Sequence, residues 1–371
     1  MARAVPALGS NGRQRRTPFS EGVEAQGVTA YTVYNHMLLP AIFESPEADY
    51  HHLKQHVQIW DVACERQVEL RGADAARLMQ MLTPRDLSKM QDDQCYYVPV
   101  VEDKGGMLND PVAIKHSDDH WWVSVADSDL ILWIKGLAVG RGLDVSICEP
   151  DVSPLAIQGP KSEEMMARLF GDTIRDLGFF RYGRFGFDGR DFLVARSGYS
   201  KQGGFEIYLE GSENGMPLWQ AFFERGADLN LRAGGPNTIE RVEGGLLSFG
   251  ADMTNANNPY ECGLGKFCQP ERVPDCVGAD ALKRIAKAGP ERKICAVAIE
   301  GAPLPLCGGG WGVYADGMRV GMINSAAYSP DFETNVSIAM IERSHWESKS
   351  RLDVDTPDGM RPARLRDKFW K

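Results

Sequence analysis

The strongest constraint on the fold is a change in the pattern of apolar residues after position 288. Before it, helix-like and strand-like segments alternate. After it, short apolar stretches at 294–299, 312–314, 318–322 and 335–341 are separated by turns such as Asp316-Gly317. Short strands joined by tight turns are typical of a small barrel. The sequence therefore predicts a nearly all-β domain over residues 286–371.

The preceding residues, 21–285, alternate helices with strands. A helix is predicted from Asp74 to just before Pro84, and Asp188-Gly189 favours a type I′ hairpin turn between two apolar strands. A further helix is predicted to start at Asn237 and to run as far as Leu247, although two glycines weaken it. A close packing partner at those glycines would explain their presence. We expect this region to form a mixed α and β body.

Composition excludes several classes of protein. The 371 residues carry a net charge of −10, so nucleic acid and anionic membranes are unfavourable partners. The eight cysteines form no Cys-x-x-Cys pair, and no apolar run is long enough to span a bilayer. Residues 1–20 are basic and lack periodicity, which predicts a loose tail without a secretory signal. We therefore expect reduced thiols and a cytoplasmic location.

Motifs for common cofactors are missing from the sequence. The chain contains no phosphate-binding loop and no dinucleotide-binding fingerprint. It also lacks the nucleophile-elbow motif of α/β-hydrolases and the zinc-protease motif. His51, His52 and His56 have helical spacing, but solvated helix positions explain them better than a ligand set. These observations predict a site without metal.

Two acids and one strand face are candidates for a site. Asp110 lies between a glycine turn and an apolar strand, where turn capping is the alternative explanation. Glu206 shares a strand face with Tyr208, where a solvent-facing position is the alternative. In the strand over 120–126, Ser124 points to the same side as Trp122. Taken singly, each of these signals is weak.

Four segments, in order along the chain, strengthen the case. They are Leu-Ala-Ile-Gln-Gly-Pro (155–160), Arg-Ser-Gly-Tyr-Ser-Lys-Gln-Gly-Gly-Phe-Glu-Ile (196–207), Ile-Glu-Arg-Val-Glu-Gly-Gly-Leu (239–246), and Asn-Ser, Ser-Pro and Asn-Val-Ser-Ile-Ala within 324–339. Together they resemble the folate-binding aminomethyltransferase family typified by the T-protein of the glycine cleavage system. The resemblance implies an α+β fold: a body of two interleaved subdomains at 21–285, followed by a C-terminal β-barrel.

The chain departs from the T-protein pattern in two segments. Lys201-Gln202-Gly203 replaces Gly-Glu-Asp/Asn, and residues 31–40 read Tyr-Thr-Val-Tyr-Asn-His-Met-Leu-Leu-Pro. These segments, with 82–89 and 126–129, resemble the branch of the family that demethylates dimethylsulfoniopropionate. That resemblance implies methyl transfer from the sulfonium to N5 of tetrahydrofolate, giving 3-(methylthio)propionate and 5-methyltetrahydrofolate. An aminomethyltransferase of the T-protein type, or a demethylase of another methyl donor, is the alternative.

The implied chemistry fits the residue inventory. A sulfonium is a permanent cation, so a site recognises it by a carboxylate or by aromatic faces worth about 0.5–2 kcal/mol each. The leaving thioether is neutral, so in-line positioning matters more than a strong general acid. The implied ligands are dimethylsulfoniopropionate and tetrahydrofolate, with no metal. The sequence leaves the oligomeric state open, a homodimer included.

The resemblance also implies roles for individual residues. Glu206 would accept hydrogen bonds from the pterin, and Asp110 would orient the folate or the substrate cation. Lys201 or His36 would bind the substrate carboxylate. The full set is Asp110 and Tyr208 as catalytic residues; Glu206, Tyr97, Ser124, Tyr199 and Arg241 for folate; and Tyr34, His36, Lys201 and Trp122 for the sulfonium substrate. A purely structural role is the alternative for each of them.

Overall fold

The computed structural model describes residues 14–346 and 351–371. The first half of the body consists of α1 (Ser20–Ala25), β1 (Ala30–Tyr34), β2 (Met37–Ile42), α2 (Pro46–Gln55), β3 (Val57–Asp61), β4 (Gln67–Arg71), α3 (Ala75–Leu82), β5 (Cys95–Tyr97), β6 (Val100–Val101), β7 (Met107–Asn109), β8 (Val112–Ser117), β9 (His120–Ser124), α4 (Leu130–Arg141) and β10 (Ser146–Cys148). Among the described residues, no helix is long and apolar enough to cross a membrane.

The second half of the body contains the longer strands. It consists of β11 (Val152–Gln158), α5 (Ser162–Phe170), β12 (Tyr182–Phe187), β13 (Arg190–Ala195), β14 (Gly204–Glu210), α6 (Gly215–Gly226), β15 (Leu231–Gly234), α7 (Thr238–Glu243) and α8 (Ala279–Ala288). Short 3₁₀ turns lie at Asp172–Asp176, Ser212–Asn214, Ala227–Leu229 and Gly265–Phe267.

Two sheets organise the body. One has six strands in the order β12-β13-β14-β11-β3-β15, antiparallel except for the parallel β3–β15 pair. The other has five strands in the order β10-β4-β9-β8-β5. The chain leaves the six-stranded sheet after β3, builds the five-stranded sheet, and returns at β11. The segment between β3 and β4 is therefore the first crossing between the two sheets.

Each sheet has its own apolar core. The six-stranded sheet packs against α1, α5 and α6 through side chains that include Phe222, Leu155 and Met166. The five-stranded sheet packs against α3 and α4 through Leu78, Val123 and others. Removing this apolar surface from water stabilises both layers. The faces that the two sheets turn towards each other enclose the functional site described below.

The C-terminal residues form a closed six-stranded barrel, which confirms the predicted fold class. Its strands are β16 (Arg292–Ile299), β17 (Trp311–Ala315), β18 (Met318–Ser329), β19 (Thr334–Glu342), β20 (Arg351–Thr356) and β21 (Gly359–Arg366), with a 3₁₀ turn at Arg343–His345. The order around the barrel is β16-β19-β18-β17-β20-β21. Closure pairs every strand on both sides, so the barrel exposes no strand edge.

Local signals in the sequence are reproduced closely. The helix predicted after Asp74 is α3, and Asp188 and Gly189 adopt φ angles of 52° and 73°, as a type I′ turn requires. Asn237 caps α7 by accepting hydrogen bonds from two backbone N–H groups. The helix ends at Glu243 rather than continuing to Leu247, because the chain turns at the glycines that follow.

The glycine pair after α7 has the close packing partners that the sequence suggested. A Cβ on Gly244 would lie 2.7 Å from Cε of Lys201, and one on Gly245 would overlap the ring of Phe369. Gly245 also has a φ angle of 63°, which favours glycine. The two glycines therefore let the Lys201 loop and the C-terminal residues approach the end of α7.

Two predictions need correction. The loose tail was expected to extend to residue 20, but residues 14–20 are ordered: Phe19 is 0% exposed, and Thr17 Oγ1 donates to Asp61 Oδ2 at 2.5 Å. Residues 1–13 lie outside the described residues. His52 was expected to be solvated, yet it is 7% exposed with Nε2 at 2.8 Å from the carbonyl oxygen of Asn230. In both cases long-range packing decides burial.

Three buried acids, Glu240, Glu243 and Asp252, lie where the body meets the barrel; we call them the junction acids. Glu243 accepts hydrogen bonds from Tyr50 at 2.9 Å and pairs with Lys371 at 2.5 Å. The other two acids are also paired with cations, Glu240 with Lys371 and Asp252 with Arg241. Every junction acid therefore has a cationic partner, and together the pairs hold the barrel and the C-terminal residue against the body.

Candidate functional site

Strand β14 presents the first part of the site. Glu206 and Tyr208 point to the same face because side chains alternate along a strand. Directly opposite Glu206 on the neighbouring strands are Ala156 and Ala195, whose small side chains leave space around the carboxyl group. Ser197 Oγ donates to Glu206 at 2.5 Å. Burial raises the pKa of Glu206.

Asp110 follows β7 and faces the same space. Its Oδ2 accepts a hydrogen bond of 2.8 Å from the hydroxyl of Tyr97, whereas its buried Oδ1 has no hydrogen-bond partner among the described residues. Burial raises the pKa of Asp110 to about 7, and the Tyr97 hydrogen bond offsets part of that rise. A buried acceptor without a partner is costly, so Oδ1 is suited to receive a donor or a cation from a ligand.

A third acid, Glu65, was not found from the sequence. It lies in the crossing between β3 and β4, two residues before Gln67, whose side-chain amide donates to Ser124 Oγ at 2.8 Å. Burial, together with repulsion from Glu206 and Asp110, raises the pKa of Glu65 well above its usual value. The available signal was an acid directly after a buried strand, but no recognised motif contained it. We call Glu65, Asp110 and Glu206 the site acids.

Four tyrosines surround the site acids. Tyr97 packs edge-on against Phe267, with ring centroids 5.5 Å apart, and Tyr199 donates to the carbonyl oxygens of Leu246 and Leu247 at 3.0 and 2.7 Å. Tyr34 and Tyr208 complete the group. Burial, followed by the nearby carboxylates, raises the pKa of Tyr34, Tyr97 and Tyr208. The phenols therefore stay neutral and contribute aromatic surface.

The β1–β2 hairpin brings Tyr34 to this position. Its turn residues Asn35 and His36 have φ angles of 49° and 64°. The buried Asn35 amide donates to the carbonyl oxygens of Cys64 and Ala126 at 2.9 and 3.1 Å, which fixes the hairpin against both sheets. Asn35 was missed as an anchor because its partners lie far away in sequence.

Three of the predicted residues have surroundings that differ from those of the site acids. The Trp122 ring packs between the sheets behind Tyr208, and its indole N–H donates to Glu69 at 3.1 Å. His36 is exposed and lies 3.2 Å from Asp129. The stem of Lys201 lies against Gly244 at the end of α7. Their roles in substrate binding stay predictions.

Arg241 links the site to the barrel. Its guanidinium donates to Asp252 at 2.7 Å, to Ser325 on β18 at 2.7 Å and to the carbonyl oxygen of Leu246 at 3.3 Å. The Tyr199 hydroxyl donates to the same Leu246 carbonyl oxygen, so the two side chains lie side by side. This position supports Tyr199 from behind. Direct folate contact by Arg241 stays a prediction.

The charges determine what the site can bind. In the described part of the chain, no lysine, arginine or histidine lies within ion-pair distance of a site acid. Unpaired carboxylates in a buried space favour a cationic ligand, and the tyrosine faces add cation–π attraction. Glu206 and Asp110 also offer acceptors to the N–H edge of a planar heterocycle. The described residues include no group of ligands arranged to hold a metal ion.

Comparison with known proteins gives matches over both the body and the barrel. Residues 19–272 match the GCVT N-terminal domain, and residues 292–370 match the glycine cleavage T-protein C-terminal barrel domain. The chain is 60% identical to the dimethylsulfoniopropionate demethylase DmdA of Ruegeria pomeroyi, over 97% of this chain and 98% of that protein. It is 27% identical to an aminomethyltransferase of Caldanaerobacter subterraneus, over 85% of each chain.

A solved structure shows the same fold. The aminomethyltransferase T of Bartonella henselae superposes with a TM-score of 0.83 at 19% identity, covering 95% of this chain and 97% of that one. The body and barrel thus share their architecture with a protein of very different sequence. The two domain matches, together with the 60% identity, show that this chain belongs to the glycine cleavage T-protein (aminomethyltransferase) family.

Proposed function

We propose that the protein is a tetrahydrofolate-dependent methyltransferase that demethylates dimethylsulfoniopropionate. The observation that carries the proposal is the 60% identity, over nearly the whole chain, to a dimethylsulfoniopropionate demethylase. The charge of the site supports it independently, because two buried carboxylates and the half-buried Glu65, all without cationic partners among the described residues, suit a permanent cation. A neutral substrate would leave those charges uncompensated.

In this proposal the folate and the sulfonium meet between the two sheets. Glu206, held by Ser197, accepts hydrogen bonds from the pterin, and Tyr97 and Tyr199 contact its faces. Ser124 and Arg241 support these contacts. Tyr34 and Tyr208 cover the sulfonium and exclude water. Tetrahydrofolate supplies a nucleophilic nitrogen, N5, and the chain's task is to align it with one S-methyl group.

The proposed reaction breaks one S–CH₃ bond and forms one N–CH₃ bond. The sulfur keeps the bonding electron pair, which makes the product 3-(methylthio)propionate, and N5 loses its proton to give 5-methyltetrahydrofolate. Asp110 has an unpartnered oxygen and a pKa of about 7, so it is suited to receive that proton near neutral pH. No strong acid is needed, because the leaving thioether is neutral.

The proposal is tested by incubating the protein with tetrahydrofolate and dimethylsulfoniopropionate. We expect 3-(methylthio)propionate and 5-methyltetrahydrofolate in equal amounts, measured by chromatography. The exposed variant Glu164→Gln serves as a control that should keep full activity. Absence of both products, with folate of proven activity, would reject the proposal. Transfer of a one-carbon unit at the formaldehyde level from an aminomethyl donor to tetrahydrofolate would instead favour the family's T-protein reaction.

Two further expectations accompany this function. We propose a cytoplasmic location, where the eight free cysteines of this chain would stay reduced. The protein would then act in one-carbon and sulfur metabolism. Size-exclusion chromatography with light scattering will distinguish a monomer from a homodimer.

A further inference from the structure

The backbone around Glu65 is fixed from both sides. Its N–H donates to the carbonyl oxygen of Val62 at 2.9 Å, and its own carbonyl oxygen accepts from Gln67 Nε2 at 2.8 Å. The Asn35 amide holds the preceding residue, Cys64, at 2.9 Å. The backbone of Glu65 is therefore held firmly in the crossing between the two sheets.

The same part of the chain holds Ser124 beside the crossing. Gln67 Nε2 donates to Ser124 Oγ at 2.8 Å, across the register pair formed by these two residues on β4 and β9. Because this bond occupies an acceptor position of the oxygen, the hydroxyl proton remains available to a nearby carboxylate, and Ser124 offsets part of the rise in the pKa of Glu65. A donated hydrogen bond favours the ionised carboxylate.

The three site acids differ in what already occupies them. Glu206 accepts a short hydrogen bond from Ser197, and the resemblance assigns it to the pterin. Asp110 accepts from Tyr97 and lies where the methyl acceptor is expected. Glu65 is the member of the three to which neither the folate nor the T-protein pattern gives a role. It is half-buried, and the Asn35–Cys64 hydrogen bond brings the hairpin that carries Tyr34, a ring suited to a cation, next to it.

We propose that Glu65 is the substrate-binding carboxylate that compensates the positive charge of the sulfonium, and that it selects a cationic methyl donor over a neutral one. This inference rests on the proposed function. A sulfonium has no proton to donate, so its attraction to a site is purely electrostatic and needs a fixed anion close by. Without a ligand, burial and the neighbouring carboxylates raise the pKa of Glu65 and favour its neutral form. A bound cation favours the ionised form, so that the charge of Glu65 appears where the sulfonium needs it.

The test compares two ligands in two proteins. Dimethylsulfoniopropionate and 4-methylpentanoate have nearly the same shape, but the second has a neutral carbon in place of the sulfonium. Calorimetry should show that the native protein prefers the cation. In Glu65→Gln, which keeps the shape of the side chain, we expect the cation to bind about 30-fold more weakly and the neutral analogue to change less than about twofold. Glu65→Asp should keep part of the preference.

Two controls separate charge from folding. Glu44→Gln removes the same charge at an exposed position beside Arg232, and should leave both affinities unchanged. Tetrahydrofolate binding should persist in Glu65→Gln, which would show that the variant is folded. If Glu65→Gln does not fold, Glu65→Asp decides the question. A partial loss of the preference for the cation supports the role of Glu65, and an unchanged preference overturns it.

The outcomes distinguish the two proposals. Native protein that demethylates dimethylsulfoniopropionate, with a Glu65→Gln variant that still prefers the cation, would overturn the role of Glu65 alone. Equal weakening of both ligands would also overturn it, because Glu65 would then shape the site rather than supply its charge. Native protein that neither demethylates the compound nor prefers the cation would overturn both.

Discussion

The protein contains two groups of buried acids with opposite surroundings. The junction acids are paired with Lys371 or Arg241 and accept further hydrogen bonds from Tyr50 and Ser329. Among the site acids, Asp110 and Glu206 accept hydrogen bonds from hydroxyl groups, and none of the three is paired with a cation among the described residues. A buried carboxylate costs several kcal/mol unless it is paired. The junction acids therefore stabilise the fold. The site acids lack cationic partners among the described residues, so they favour the binding of a positively charged ligand.

The largest expected effect breaks a junction pair. In Arg241→Met, Asp252 would remain buried and lose its cation, which we expect to cost about 3–5 kcal/mol of the free energy of unfolding. Denaturant titration measures the loss. A change below about 1 kcal/mol would contradict the structural role of this pair, and with it the contrast between the two groups.

The next effect is on folate binding. Glu206→Ala removes a carboxylate that would accept hydrogen bonds from the pterin, so we expect tetrahydrofolate to bind about 10- to 100-fold more weakly. Dimethylsulfoniopropionate should be affected much less. Calorimetry with each ligand separately makes the comparison. Equal loss of both would show that the pterin does not lie on Glu206.

Asp110→Asn should stabilise the protein while reducing its activity. In the unfolded chain Asp110 has a pKa near 3.8, against about 7 in the folded protein. Between pH 3.8 and pH 7, Asp110 is mostly ionised in the unfolded chain and mostly protonated in the folded protein, so a rise in pH favours the unfolded chain. The contribution of Asp110 to the free energy of unfolding therefore falls over this range and is constant above pH 7. The variant should therefore gain on the order of 4 kcal/mol more at pH 8 than at pH 4, at about 1.4 kcal/mol for each pKa unit of the shift. Thermal unfolding at both pH values measures this, and a pH-independent difference would contradict it.

The smallest effect is expected on the exposed side of the hairpin. His36 and Asp129 form a pair in which the imidazole is 63% exposed. Such pairs contribute little, so His36→Ala should change stability by less than about 0.5 kcal/mol. A rise in KM for the sulfonium substrate without a change in Tm would support the predicted contact of His36 with the substrate carboxylate. An unchanged KM would favour Lys201.

Much of the fold follows from local sequence signals. The hairpin at Asp188-Gly189, the cap at Asn237 and four of the six barrel strands were predicted, because turn residues and apolar periodicity act over a few neighbouring positions. The shared face of Glu206 and Tyr208 was likewise predicted from strand alternation. Trp122 was correctly placed on the side of Ser124. That side proved to be the packed space between the sheets.

The sequence by itself determined the family, the order of the elements and two of the site acids. Only the tertiary structure decided that Glu65 joins them, that Asn35 anchors the hairpin, and that the junction acids are paired. The physical reason is that hydrogen bonds and charge interactions depend on distance in space, and the crossing between β3 and β4 brings together residues that are far apart along the chain. No local pattern records that proximity.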